Sequence, residues 1–217
     1  MASRKSPPEP GAAEFLPPRA SLKTLKTAAA DCRGCPLFLH ATQTVFGEGP
    51  ARARVMFVGE QPGDAEDRAG KPFVGPAGKV FDRALEAAGL AREDAYVTNA
   101  VKHFKFEQRG KARLHKRPKP GEIGACSPWL HAELRVVKPD VLVLLGATAG
   151  QALFGASFRV GAARGQKLTS EWARVVIATT HPSAILRAPT AEDRERAFEE
   201  LVADLKLVAK ELAKRRP

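Results

Sequence analysis

RVMFVGEQPGD, residues 54–64, reads as a buried strand that breaks into a tight, glycine-bounded loop. Its first part, RVMFVGE (54–60), is an apolar run too short for a helix, the mark of a strand covered on both faces. Three further runs share that character: AYVTNAV (95–101), VLVLLG (141–146) and RVVIATTH (174–181). Between them the apolar spacing turns helical, over 79–90, 121–138, 147–155 and 190–216. Strand alternating with helix predicts a three-layer α/β/α domain around a central four-stranded parallel sheet. Ligands of such sheets lie beyond the carboxyl ends of the strands, so GEQPGD (59–64), NAVKHFKF (99–106), LLGATAG (144–150) and THPSAILR (180–187) are expected on one face.

The chain has 217 residues, enough for one domain with a sizeable core. Residues 1–20 are rich in Pro, Ala and charge without periodicity and read as a disordered tail, leaving 21–217 as the folded domain. With 35 basic and 24 acidic residues the formal charge is +11, which favours a polyanionic partner such as nucleic acid. No apolar run reaches the length of a bilayer span, and the first residues lack the apolar centre of a signal peptide. A cytoplasmic, nucleoid-associated monomer is therefore expected, with no membrane partner. Three cysteines form an odd set, which argues against a secreted disulfide framework.

Cys32 and Cys35 form a C-x2-C pair, a spacing that lets two thiolates meet one metal or cluster. Cys126 supplies a third soft ligand, and His103 is the natural fourth, since imidazole replaces thiolate on zinc or iron. The residues alone fit a zinc ion and an iron-sulfur cluster equally. KFEQRGKARLHKRPKP (105–120) surrounds His115 with seven Lys or Arg against the single Glu107. By itself it reads as a solvated basic loop. GEQPGD lacks the GK[ST] of a phosphate-binding Walker loop, but its glycines, Gly59 among them, let backbone amides approach a ligand.

Together these motifs resemble the uracil-DNA glycosylase superfamily, in particular the iron-sulfur family 4 enzymes and, most closely, the UdgX branch. The resemblance runs from about residue 22 to 213 and is carried by CRGC, GEQPGD, KPFVGPAG (71–78), VTNAVKHFKF (97–106), the basic loop and HPSAILR (181–187). It implies a uracil-DNA glycosylase-like fold and a [4Fe-4S] cluster held by Cys32, Cys35, His103 and Cys126, with a structural rather than a redox task. It also implies uracil-containing DNA as the partner, single strands included. In the UdgX branch the loop reads KRRIH and its histidine stays bonded to the deoxyribose. Lys111, Ala112, Arg113, Leu114 and His115 stand at those positions here, so one Arg is Ala and Ile is Leu.

The resemblance assigns roles residue by residue. Asn99 offers its amide to uracil O4 and N3–H, Phe73 stacks on the ring, and His181 bonds uracil O2. Ser183 and Arg187 hold flanking phosphates. Glu60 polarises His115, and Gln61 and Asp64 supply further polar groups in the segment where ordinary family members position a water. Cations around His115 are expected to lower its pKa and keep a ring nitrogen available. A turning-over family 4 glycosylase and a uracil-DNA binder without bond chemistry are the competing readings.

Overall fold

In the computed structural model, residues 11–214 are described. Their strands are β1 (Val55–Gly59), β2 (Ala95–Asn99), β3 (Phe106–Arg109), β4 (Ala112–His115), β5 (Val141–Leu145), β6 (Lys167–Ser170) and β7 (Ala173–Thr179). The α-helices are α1 (Leu22–Ala29), α2 (Asp64–Ala69), α3 (Pro76–Ala87), α4 (Pro120–Val137), α5 (Ala147–Phe154), α6 (Val160–Ala163), α7 (Pro182–Leu186) and α8 (Ala191–Ala213). No helix among the described residues is long and apolar enough to cross a membrane.

The four expected strands are present and parallel, in the order β2-β1-β5-β7, with Val55 level with Ala95 and Val141, and Val141 level with Val175. A fifth strand, β6, pairs antiparallel with the outer edge of β7 and corrects the expected count of four. Its sequence KLTS is short and half-exposed, so it lacks the apolar run that betrays a central strand.

Side chains alternate across the sheet. Val55 and Phe57 of β1 face a layer of α3, α7 and α8, where Phe81, Leu85, Leu201 and Leu205 are buried. Met56 and Val58 face α4 and α5, against Leu130, Leu134 and Ala149. Both faces are covered, which gives the three-layer sandwich and explains why the strands read as unbroken apolar runs.

Of the four helices missed in the sequence, α1 and α2 have clear boundary signals. Ser21 and Thr24 form a reciprocal capping box on α1, and Gly70 at φ 69° closes α2. The expected tail also begins folding early. Ala12–Phe15 make a 3-10 turn packed on α4, with Ala12 buried against Gly34, whose absent side chain leaves room for it. Residues 1–10 of that tail lie outside the described residues.

The basic loop is a two-stranded antiparallel hairpin, β3–β4, which places Phe106 level with His115 and Arg109 level with Ala112. Gly110 takes φ 55° at the first of two connecting residues, as a type II′ turn requires. The arginine-glycine-lysine step between two short runs was the available signal, hidden by the charge around it.

Candidate active site

The ends of β1, β2, β5 and β7 meet on one face. Gly59, closing β1, has no side chain because a Cβ there would fall 2.4 Å from Asn99 Oδ1 and 2.6 Å from the Phe73 ring. That close approach sets Asn99 and the Phe73 ring side by side at the end of β1. Asn99 is 2 % exposed, and its Oδ1 is a buried acceptor with no partner among the described residues. Such an orphan costs about 1–3 kcal/mol and invites a ligand N–H.

Phe73 sits in the left-handed region at φ 56°, an unfavourable geometry for a non-glycine residue. Gly78 permits it: a Cβ at that position would lie 1.9 Å from the Phe73 carbonyl oxygen. The ring is buried, with its centroid 5.9 Å from that of His181 and 5.2 Å from that of Phe81. Glu66 joins this loop to GEQPGD, accepting N–H bonds from Gly75 at 2.8 Å and Gly63 at 3.1 Å. Sequence reading passed over Glu66, although it lies three residues into a capping box.

His181 caps α7, with Nδ1 accepting from Ser183 N at 3.2 Å and lying 2.7 Å from Ser183 Oγ. This assigns the ring proton to Nε2, which is left as a donor. Burial first, then Arg187 and His115, hold the pKa of His181 at about 4, so the ring is neutral. Arg187 donates to Ser183 Oγ at 3.0 Å. The Ser183 hydroxyl is thus occupied between His181 and Arg187 rather than free for a phosphate.

Glu60 follows β1. Its Oε2 accepts from Thr148 at 2.6 Å, and its Oε1 lies 3.5 Å from His115 Nε2. Gln61 donates from its amide nitrogen to the carbonyls of Lys105 and Lys116, each at 3.1 Å, and the same nitrogen lies 3.0 Å from His115 Nε2. The two amide hydrogens serve those carbonyls, so this contact positions the His115 ring and does not fix its tautomer.

The pKa of His115 is lowered, chiefly by desolvation against its neighbours although the side chain remains 47 % exposed; Glu60 and Glu66 oppose that shift and Arg187 adds to it. The expected cause, the loop's own cations, is therefore corrected. Those cations are largely paired: Lys105 with Glu122 at 2.8 Å, Arg109 and Lys116 with Glu107 at 3.1 and 2.5 Å, and Arg113 with Asp64 and Asp67. Asp64, expected at the reacting centre, is half-exposed and bonded to Arg68 and Arg113. Through Arg113 it anchors the hairpin.

Asp67 is completely buried, accepting from Thr42 N and from Arg113, whose guanidinium also lies over Phe104 and Phe106. The residue that departs from the KRRIH pattern, Ala112, is exposed beside the hairpin turn. Arg113, which matches the pattern, carries the clamp.

Cys32, Cys35 and Cys126 are buried in one apolar cluster with Trp129 and Val101. Trp129 Nε1 donates to Cys32 Sγ and the Lys102 amide to Cys126 Sγ, both at 3.2 Å. Burial, with Cys35 and Cys32 adding, pushes the Cys126 thiol up to about 12. His103 is buried too, which holds its pKa near 4. Thr44 Oγ1 donates to the Ala29 carbonyl, so it accepts from His103 Nε2–H at 2.9 Å and leaves the ring lone pair on Nδ1. Among the described residues, no three His, Cys, Asp or Glu side chains converge as they do around a single metal ion.

Comparison with known proteins gives this geometry relatives. The model of the uracil DNA glycosylase superfamily matches residues 46–206. A type-4 uracil-DNA glycosylase of Thermotoga maritima is 37 % identical over 181 residues, covering 83 % of this chain and 91 % of the relative. One of Archaeoglobus fulgidus is 35 % identical over 204 residues, covering 91 % and 96 %. A type-5 uracil-DNA glycosylase of Pyrobaculum aerophilum is 32 % identical over 154 residues, covering 63 % and 64 %.

Proposed function

Since the chain belongs to the uracil-DNA glycosylase superfamily, we propose that it excises uracil from DNA, single strands included, and that His115 then remains bonded to the abasic sugar. The observation that carries the second step is the position of His115 Nε2, 3.5 Å from Glu60 Oε1 and 3.0 Å from the Gln61 amide, on a clamped hairpin.

A base buried in a stack must be swung out before it can be cleaved. Asn99 Oδ1 then accepts uracil N3–H, its amide donates to O4, and Phe73 covers the ring. As the C1′–N1 bond breaks, its electron pair moves into uracil, and His181 Nε2–H stabilises the charge at O2. A neutral His181 does this by hydrogen bonding, without first giving up a proton.

The deoxyribose is left electron-poor at C1′. In its Nδ1–H tautomer His115 donates the Nε2 lone pair to C1′, forming a C1′–Nε2 bond. Glu60 offsets the charge of the alkylated ring until the Nδ1 proton leaves to solvent. A neutral N-alkyl imidazole is a poor leaving group, so the adduct persists. The excess positive charge draws in the phosphate backbone.

We also assign to the cysteine cluster a [4Fe-4S] group on Cys32, Cys35 and Cys126, with His103 as the fourth ligand. Three buried sulfurs, two of them already accepting N–H bonds, suit thiolates on iron. A cubane distributes its ligands over four irons, so they need not converge on one point. When bound, the group fastens the segment around Cys32 to α4.

The type-4 names of the relatives favour a second reading, ordinary turnover with a water as nucleophile. Incubation with uracil-containing single-stranded DNA, followed by a denaturing gel with and without alkali, separates the two. A shifted band stable to heat and detergent, absent in His115→Ala, is the expected result. Alkali-labile free DNA from wild type, with no shifted band, favours turnover, and intact DNA sinks both readings.

A further inference from the structure

Between the first turns of α4 and the end of α5 lies a cleft of about 420 Å³, lined by none of Phe73, Asn99 and His181. Arg117 and Pro118 form its rim, Ile123 and Gly124 one wall, and Gln151 and Ala152 the other. Its volume falls among small-ligand pockets, roughly 300–1,000 Å³.

Two details show how the cleft is kept open. Gly124 lies inside α4, where glycine is less stable than alanine, yet an added Cβ would meet nothing within 4 Å. Among the described residues no contact requires a glycine there. Pro128 also deprives the Gly124 carbonyl of its usual N–H partner, and Ser127 Oγ donates to it at 2.8 Å instead. The wall is satisfied without closing.

The rim is tied to the reacting centre. Arg117 donates to Gln151 Oε1 at 2.9 Å and to Thr148 Oγ1 at 3.3 Å, and Thr148 donates to Glu60 at 2.6 Å. Two hydrogen bonds therefore separate the guanidinium at the cleft mouth from the carboxylate that faces His115.

We propose that this cleft seats a nucleobase adjoining the uracil on the same strand, with the linking phosphate on Arg117. The proposal rests on the uracil-excision reading and deepens it. A base is apolar on its two faces and suits the Ile123 and Ala152 walls, while its phosphate matches the fixed cation. The seat reads faces rather than edges, so it tolerates any base.

The test uses single-stranded oligonucleotides bearing one uracil, with a base-free spacer at the adjoining 5′ or 3′ position. Uracil release is measured at sub-saturating protein for wild type, Gly124→Leu and Ala156→Trp, the last being an exposed lining position that perturbs no helix core. A spacer on one side alone is expected to lower efficiency roughly tenfold. Each variant should cause a similar loss on the all-base substrate and none on that spacer substrate, with the melting temperature kept. Should Gly124→Leu lose stability, Ala156→Trp decides. Equal release from all substrates, equal losses for both spacers, or losses that multiply between variant and spacer overturn the seat while wild type still releases uracil. No release from any substrate overturns the excision reading itself.

Discussion

Arg113 NH1 donates to Asp67 Oδ2 across 2.6 Å, and the carboxylate it meets is fully buried. This joint, with Arg113 to Asp64 and Gln61 to the Lys116 carbonyl, holds the hairpin that carries His115, since among the described residues β4 pairs with β3 alone. Arg113→Ala leaves Asp67 buried with only its Thr42 N–H bonds, a loss of about 3 kcal/mol by analogy with broken buried pairs. In a denaturing-gel assay it is expected to reduce covalent capture at least tenfold while uracil release continues. Capture at the wild-type rate would mean that the hairpin is held by something else. Ala112→Arg, at an exposed position, is expected to change capture little.

The pH dependence of capture follows from His115. The attacking form is the neutral ring, and its pKa lies below the ordinary histidine value of 6.5. As pH rises through that lowered pKa the ring loses its proton, so the rate climbs, then stays level to about pH 8. Arg187 is among the groups lowering this pKa, and Arg187→Ala should move the half-point upward. Single-turnover adduct formation from about pH 5 to pH 8 checks both. A wild-type half-point above 6.5 would contradict the burial argument.

Gly78 exists for Phe73. Gly78→Ala places a methyl 1.9 Å from the Phe73 carbonyl oxygen, against backbone that cannot rotate away. The expected cost is about 2 kcal/mol, or roughly 6 °C in melting temperature, with uracil binding weakened alongside. Thermal melting together with KM measures the two effects, and an unchanged melting temperature would show that the Phe73 loop yields.

The cysteine cluster predicts a colour. Protein purified without oxygen is expected to be brown with broad visible absorbance, and Cys126→Ser to lose both colour and melting temperature. A colourless, zinc-loaded wild type would remove the iron-sulfur assignment. Trp129→Phe, which deletes one N–H bond to Cys32 Sγ, should keep the colour and shift the reduction potential.

Much of the candidate site was legible because it follows strand ends. A fully buried strand announces itself as an apolar run, and its carboxyl end fixes which loop residues face a ligand. This rule brings Gly59, Asn99 and His181 to one face, and the family resemblance supplies the roles expected of them. Asp64 did not keep its expected place, since an acidic residue in such a loop serves a ligand or an arginine equally well until the arginine's position is known. Glu66 and Asp67 were hidden for the same reason: a carboxylate buried by its partners looks like a surface carboxylate in one dimension.

The amino-acid sequence by itself determined the layered α/β architecture, the four parallel strands and the residues brought to their ends, because burial on both faces forces a local pattern that needs no partner to be recognised. Only the tertiary structure decided the rest: the antiparallel β6 edge, the hairpin within the basic run, and the division of its cations between clamping and charge. Those features depend on pairings across long separations, such as Arg113 with Asp67 and Thr148 with Glu60. Each is a meeting of two ordinary residues whose chemistry changes when folding removes the water between them.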